Sequence, residues 1–379
     1  MSLRVATGDG RGIWSDLTEE NAESELSPAL EALLLSDRLA LLAGLGTSLC
    51  IRDADGAVAA PTMAGLWEAV AVTDPDGLAS AIERVGVGSA DKNIELFLSR
   101  CQASLQLQAA EELQAFVVGA ERTIAHACDF VRSIEEVPLH TSFLRKLARR
   151  PAGSDRFRLF TTNYDLAFDF AASAAGLICL DGFSQSIPRL FDPAQFEQDV
   201  VRRRSADGSD VEFVAGVHYL YKLHGSIDWR RSADGVTKAT LPATIGEEPP
   251  CLIFPRDNKF QLSYEPPFFD LLAAFQAALR GDNLGLFVAG FGFADMHIVR
   301  PILTALRGNA SLSAVFVDPR LESDPSPEFM PVRRLVEEGD PRITLIAGTF
   351  EEVVPLIPSL QPDTHLETHA RRLGTAGLK

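Results

Sequence analysis

The sequence predicts an α/β fold, in which a doubly wound and mainly parallel sheet carries an inserted helical module. Short apolar runs recur along the chain, and segments with helical spacing separate them. This alternation is typical of a parallel sheet covered by helices on both faces. The stretch between the first two runs is almost entirely helical, and it is longer than a simple crossover between neighbouring strands. We therefore expect it to form the module.

The predicted strands are apolar runs that break into small or polar residues. They are residues 38–43, 157–162, 177–180, the run that ends at His224, 251–255, 283–290, 313–318 and 342–347. The predicted helices have apolar residues on one face. They are residues 28–35, 166–175, 268–279 and 298–306, with about four more between 63 and 150 that include 93–116 and 120–134.

These elements divide the chain into five segments. Residues 1–27 are polar and acidic, and we expect them to form an N-terminal arm. Residues 28–62 and 155–360 supply the Rossmann-like sheet domain, and residues 63–154 form the inserted helical module. Residues 361–379 are a polar C-terminal tail.

Composition and charge exclude several classes of function. A net charge of −17 argues against direct binding of nucleic acid, because phosphate contacts need a basic surface. No apolar run is long enough to span a bilayer and the N-terminus lacks a signal-peptide core, so we expect a cytoplasmic location without membrane contact. The five cysteines never occur as C-x-x-C, so we expect neither a disulfide framework nor a zinc or other metal site.

The first candidate site element is the turn Gly44-Leu45-Gly46-Thr47-Ser48, which follows the first apolar strand. Glycines at a strand-to-helix turn let the backbone approach a pyrophosphate, and the N–H groups that follow favour an anion. The third glycine of the dinucleotide-binding fingerprint is absent, since Leu49 and Cys50 stand in its place. A tight turn with no ligand is the alternative reading of the same residues.

Three further elements follow later strands. Asn163 and Asp165 lie just past residues 157–162, where an amide and a carboxylate hold a ribose or orient a water, or else cap the next helix. His224 precedes Gly225 at the end of its run and would point into the ligand crevice of an open sheet, although a lone histidine is more often structural. Asp318, at the end of another strand, is placed to reach a ribose or to make an Asp-Pro turn.

The order of these elements resembles the sirtuin-like NAD-consuming fold. The segments KLHGS (222–226), FTTNYD (160–165) and VAGFGFADMH (288–297) are similar to its prokaryotic NAD-hydrolase branch, found in anti-phage defence systems. The resemblance covers residues 39–48 and 157–350. Protein-deacylating sirtuins carry a four-cysteine zinc module, which this chain lacks, so lysine deacylation is disfavoured.

The resemblance implies a role for each candidate residue. Asn163 would fix the ribose and its attacking water, His224 would act as the base, and Asp165 would lie near the nicotinamide amide or the ribose. Residues that would contact the rest of NAD are Gly44, Gly46, Thr47 and Ser48 at the phosphates, with Gly290 and Asp318 on the adenosine side. Asp295 and His297 are either ligands or a helix cap and a surface histidine.

The implied activity is NAD glycohydrolysis, which releases nicotinamide and ADP-ribose and depletes NAD in anti-phage defence. NAD is then a substrate, and no zinc is needed. Because unregulated NAD hydrolysis is toxic to the cell, we expect control by a homo-oligomeric state or by a separately encoded HerA-type ATPase, which would supply the DNA contact. The alternatives are a catalytically silent module that senses NAD or ADP-ribose, and a scaffold for such an ATPase.

Overall fold

A computed structural model describes residues 3–86, 92–150, 154–205, 208, 210–239, 249–254 and 266–361. Its strands are β1 (Arg4–Thr7), β2 (Ser15–Asp16), β3 (Arg38–Ala43), β4 (Arg158–Thr161), β5 (Ile178–Leu180), β6 (Arg189–Leu190), β7 (Val201–Arg203), β8 (Val211–Phe213), β9 (Val217–Lys222), β10 (Trp229–Ser232), β11 (Gly235–Lys238), β12 (Leu284–Ala289), β13 (Ser313–Val317) and β14 (Ile343–Ala347). Its helices are α1 (Ala22–Leu35), α2 (Met63–Thr73), α3 (Pro75–Val85), α4 (Ile94–Leu107), α5 (Glu111–Ala127), α6 (Pro138–Leu147), α7 (Ala167–Ala175), α8 (Phe268–Ala278), α9 (Met296–Gly308), α10 (Met330–Glu337) and α11 (Phe350–Val353).

A nine-stranded sheet organises the chain, in the order β2-β1-β14-β13-β12-β3-β4-β9-β5. The strands from β14 to β5 run parallel, and β1 and β2 close one edge in antiparallel fashion. Alternate residues of β3 face opposite sides, as strand geometry requires. Leu39 and Leu41 pack in the core under α1, α6 and α7, whereas Ala40 and Leu42 pack in the core under α8, α9 and α10. The predicted α/β, doubly wound, mainly parallel fold is thereby confirmed.

The order of the strands reverses at β3. After β3 the chain adds β4, β9 and β5 on one side, and it later adds β12, β13 and β14 on the other. Open α/β sheets bind ligands at such a switch point, beyond the carboxyl ends of the strands. The last residues of four strands here are in register, since Ala43 pairs with Ala289 and with Thr161, and Thr161 pairs with Lys222. The carboxyl ends of β3, β4, β9 and β12, which the candidate residues Gly44, Asn163, His224 and Gly290 follow, therefore meet at one edge of the sheet.

The helices α2 to α5 surround a core of their own. Trp67, Phe97 and Phe116 are at its centre and stack edge to face in sequence. The helix predicted over 93–116 is broken after Leu107 and resumes at Glu111, because the fold-back lets both halves bury their apolar faces in this core. The helix α6 instead packs against α7 and contributes to the core of the sheet.

The N-terminal segment differs from the predicted arm. Residues of β1 pair antiparallel with β14, from Arg4 with Ala347 to Thr7 with Thr344, and Val5 and Ala6 are buried. The helix expected from residue 28 begins at Ala22. Tail residues 362–379 lie outside the described residues. None of the described helices is long and apolar enough to cross a membrane.

Candidate functional site

Asn163 lies directly after β4, and its side-chain amide has one fixed orientation. The Nδ2 atom donates to the Gly44 carbonyl at 3.0 Å and to the Ser48 hydroxyl at 2.9 Å, with Thr47 Oγ1 at 3.3 Å. Because a carbonyl can only accept, the nitrogen must face the Gly44 turn. The amide oxygen is consequently the atom that Asn163 offers to a ligand, and no hydrogen bond reaches it from the described part of the chain.

Asp165 lies behind Asn163 in the same network. Its Oδ2 accepts from the Ser48 hydroxyl at 2.8 Å, and its Oδ1 accepts from the backbone N–H of Ala167 at 2.9 Å. The second bond satisfies the first turn of α7, so the predicted capping role is present. Burial raises the pKa of the Asp165 carboxyl above its ordinary value, and the nearby Lys222 ammonium opposes that shift.

The glycines of the first turn allow two backbones to touch. A Cβ on Gly46 would lie 2.5 Å from the Cα of Gly290, and a Cβ on Gly44 would lie 2.6 Å from the Gly290 carbonyl oxygen. Gly290 itself has a φ of +61°, which favours glycine. The structure thus gives a packing reason for all three glycines, in line with the tight-turn alternative.

Four of the five backbone N–H groups of this turn, all but that of Leu45, donate to carbonyls of the described residues. Those of Gly44 and Gly46 donate to the carbonyls of Ala289 and Gly290, and those of Thr47 and Ser48 donate to carbonyls within the turn. The hydroxyls of Thr47 and Ser48 are fully buried and point into the Asn163 network. A phosphate near this turn needs further donors, and phosphate binding by these four residues stays a prediction.

His224 is 3% exposed and lies two residues past β9. Its carbonyl accepts from the N–H of Ile253 at 2.9 Å. Gly225 has a φ of +82°, and a Cβ there would lie 2.2 Å from the carbonyl oxygen of Cys251. The segment around Cys251 therefore fixes the backbone at His224, although it forms only a bridge from Leu252 to Gly225 rather than the predicted strand.

A second histidine, His297, contacts His224. The Nε2 atoms of His224 and His297 are 2.9 Å apart, and both rings are buried. Asp295 is at the N-cap position of α9, yet its side chain makes no capping hydrogen bond. One carboxylate oxygen of Asp295 and one nitrogen of each histidine all lie within 4.8 Å of one another. The surface-histidine alternative for His297 is therefore wrong, as is side-chain capping by Asp295.

Two adjoining cavities form the crevice. The first, of about 230 Å³, is lined by Asn163, Asp165, His224 and Asp295. The second, of about 470 Å³, is lined by Gly46, Asp318, Arg320 and Arg52. Leu45, Gly290 and Gly292 line both. The structure thus brings Asn163 and His224 into one cavity and places Asp318 in the other.

The charged groups of the second cavity are paired with each other. Asp318 Oδ1 accepts from the N–H of Arg320 at 2.9 Å and from its Nε at 3.3 Å, which is the turn expected after this strand. Arg52 lies 3.6 Å from the Glu351 carboxylate. Neither arginine belongs to a recognisable motif, so nothing in the local sequence beyond a positive charge predicts a role for them.

Tyr164 also lines the first cavity and was not singled out from the sequence. Its hydroxyl donates to the carbonyl of Ile253, which ties the end of β4 to the segment beneath His224. Burial raises the pKa of Tyr164 well above its ordinary value, so the hydroxyl stays protonated. The contact between Tyr164 and Ile253 could not be predicted from the sequence, because a single tyrosine between Asn163 and Asp165 forms no recognisable pattern.

The fold is that of an α/β protein of the doubly wound class, and the crevice at its switch point is a candidate ligand site. No protein-family model matches the sequence, and no curated protein matches it. A solved structure described as "Structural Basis for the Mechanism and Regulation of Sir2 Enzymes" is similar in fold, with 15% sequence identity and a TM-score of 0.42. The similarity covers 94% of this chain and all of the other.

Proposed function

We propose that this chain is a sirtuin-like NAD glycohydrolase, which cleaves the bond between nicotinamide and ribose. The observation that carries the proposal is the placement of Asn163 and His224. These two side chains come from different strand ends, and both line one cavity at the switch point of the sheet. The motifs KLHGS and FTTNYD that contain them resemble those of prokaryotic NAD hydrolases.

The two cavities suit the two halves of a dinucleotide. We place the nicotinamide ribose in the first cavity and the adenosine in the second, so that the pyrophosphate crosses at Leu45, Gly290 and Gly292. Asp318 would accept from a ribose hydroxyl, as carboxylates do in other dinucleotide sites. Arg320 and Arg52 would supply further donors for the pyrophosphate beside the N–H of Leu45, because the other four N–H groups of the glycine turn are already paired.

The chemistry of this bond needs no acid. Glycosidases must protonate a leaving oxygen, whereas nicotinamide leaves from a cationic pyridinium and becomes neutral when the C1′–N bond breaks. The site must instead hold the ribose and a water beneath C1′. Asn163 fits that task, because its nitrogen is anchored on Gly44 and its oxygen is free to accept from the water or a ribose hydroxyl. As the water oxygen bonds to C1′, His224 accepts the proton that the water loses.

Control of the activity is a further part of the proposal. Self-association, a HerA-type ATPase partner and a role in anti-phage defence rest on the motif resemblance alone. An NAD hydrolase needs restraint inside its own cell, so the chain is assayed by itself and together with such an ATPase.

The test is release of nicotinamide from NAD by the purified protein, followed by chromatography, with and without a HerA-type ATPase encoded beside it. We expect Asn163→Ala and His224→Ala each to reduce release at least about 100-fold. His126→Ala, in the last turn of α5 and outside the crevice, is the matched control and should retain activity. Thermal melting confirms that each variant is folded. If the wild type binds NAD but releases no nicotinamide under either condition, the hydrolase proposal fails and the hypothesis of a catalytically silent NAD sensor takes its place.

A further inference from the structure

His224, Asp295 and His297 have a geometry that suits a cation. Within the described ranges, they are the one group of three metal-ligand side chains whose donor atoms lie within 4.8 Å of one another. Two histidines and one carboxylate on one side of an ion form the facial set used by octahedral transition-metal sites. The positions opposite those three ligands would face the first cavity, which His224 and Asp295 line.

The distance between the two imidazoles supports this geometry. With a metal–nitrogen bond of about 2.1 Å, two nitrogens at a right angle on an octahedral ion are about 3.0 Å apart, and on a tetrahedral ion about 3.4 Å. The Nε2 atoms of His224 and His297 are 2.9 Å apart. Two nitrogens this close must share either one proton or one cation between them. The nearby Asp295 carboxylate would complete a set of three ligands for the cation.

The backbone also holds the three ligands in place. Bonds to the segment at Ile253 fix His224, and the start of α9 fixes Asp295 and His297 two residues apart. Asp295 stands where an aspartate usually caps a helix, yet its side chain makes no such bond. Two imidazole ligands select transition ions over Mg²⁺ or Ca²⁺, which prefer oxygen.

We propose that His224, Asp295 and His297 bind one divalent transition-metal ion, of the class of Zn²⁺, Ni²⁺ or Co²⁺, and that the bound ion inhibits NAD hydrolysis. A bound ion would replace the proton that the two Nε2 atoms otherwise share, and its positive charge would make the His224 ring a weaker base for the proton of the attacking water. The inhibitory half of this inference rests on the proposed function, and the binding half does not. Removal of the metal by a chelator, or by a higher-affinity partner, would then switch the hydrolase on.

Binding is tested directly on untagged, full-length protein that has been stripped with EDTA and desalted. Titration with Co²⁺ should give visible d–d absorption, and Zn²⁺ calorimetry should give one equivalent per chain. We expect His297→Gln and Asp295→Asn each to weaken binding at least about 10-fold, and His126→Gln to leave it unchanged. If no metal binds, or if both cluster variants bind as tightly as the wild type, the site is overturned.

The activity arm separates this inference from the proposed function. Zn²⁺ should reduce nicotinamide release by the wild type at least about 10-fold, and EDTA should restore it. If the metal binds with the expected dependence on His297 and Asp295 but no condition yields nicotinamide, the site stands and the hydrolase fails. If nicotinamide release requires Zn²⁺ or ignores it while the ion is bound, the inhibitory half is wrong.

Discussion

The two walls of the crevice are held by different kinds of interaction. The amide wall consists of the Gly44–Ser48 turn with Asn163 and Asp165, where nearly every donor has an assigned acceptor. The histidine wall consists of His224, Asp295 and His297, which are titratable groups in close contact. The first wall has one hydrogen-bonding state, so it can position a substrate. The second wall is the proposed metal site, where a bound ion would change the proposed activity.

Both walls depend on one buried lysine. Lys222 ends β9, two residues before His224, and is 3% exposed. Its Nζ donates to the carbonyl of Asp165 at 2.6 Å and to the hydroxyl of Ser226 at 2.7 Å. It also lies 3.2 Å from the Asp169 carboxylate in α7. This ammonium therefore links the strand that carries His224 to the loop and helix behind Asn163.

Lys222→Met is expected to have the largest effect on stability. Among the described residues it leaves the buried Asp169 carboxylate with Lys238 as its cation, and removing one partner of a buried pair costs about 3–5 kcal/mol. The free energy of unfolding in urea should fall by that amount, and nicotinamide release should fall with it. Lys92→Met is the control, because that lysine is exposed and pairs at 3.6 Å with an exposed glutamate. Equal losses in the two variants would remove the distinction between the buried link and a surface pair.

The amide wall also touches Gly290, the residue after β12, through Gly46, so Gly46→Ala should push these two backbone segments apart. The new methyl group would lie 2.5 Å from the Cα of Gly290, and backbone atoms cannot move away as a flexible side chain would. We expect the free energy of unfolding to fall by about 2–3 kcal/mol. Gly119→Ala, on an open face of α5, should be neutral or stabilising by up to about 1 kcal/mol. If Gly46→Ala leaves the free energy of unfolding unchanged, the close contact between Gly46 and Gly290 is not required for stability.

His218 is a buried histidine in β9, the strand that ends two residues before His224. Its ring is buried and stacks on Phe157, with centroids 4.9 Å apart. Burial lowers the pKa of His218 to about 4. The unfolded chain, with a pKa near 6.5, binds more protons between those values, so stability falls as the pH drops below about 6.5.

The expected loss from His218 is about 2 kcal/mol between pH 6.5 and pH 5, at about 1.4 kcal/mol per pH unit. His218→Phe should flatten the pH dependence of the free energy of unfolding by that amount. If His218→Phe has the wild-type slope, the charge on His218 does not differ between the folded and the unfolded chain.

The parts predicted well from the sequence are those set by local pattern. Strands such as β3 and β12 are continuous apolar runs because both their faces are buried, and their ends align because parallel strands share a direction. That alignment was enough to bring Asn163 and His224 to one edge. By contrast, β1 is a four-residue strand inside a polar stretch, and its place in the sheet comes from long-range pairing with β14.

The contacts that decide the chemistry were beyond local reasoning. His224 and His297 are 73 positions apart, and their contact depends on how α9 begins over the sheet edge. The hydroxyls of Thr47 and Ser48 turn inward because Asn163 and Asp165 offer them partners, and that preference is not written in the turn itself. The residue types and their places after strands predicted the candidate site. Which of these side chains bond to each other depends on tertiary packing.

Ser48→Ala tests whether the amide wall acts as a positioning device. The Ser48 hydroxyl accepts from Asn163 and donates to Asp165, so its loss leaves both side chains with one partner fewer. We expect the free energy of unfolding to fall by about 1 kcal/mol. Nicotinamide release should fall about 10-fold because Asn163 is held less firmly. The affinity for NAD should change little, because the substrate still fits. Ser27→Ala, where the serine bonds Glu31 on the exposed face of α1, should change none of the three. If Ser48→Ala weakens NAD binding and leaves turnover of the bound substrate unchanged, the hydroxyl serves as a ligand and the amide wall does not act by holding Asn163.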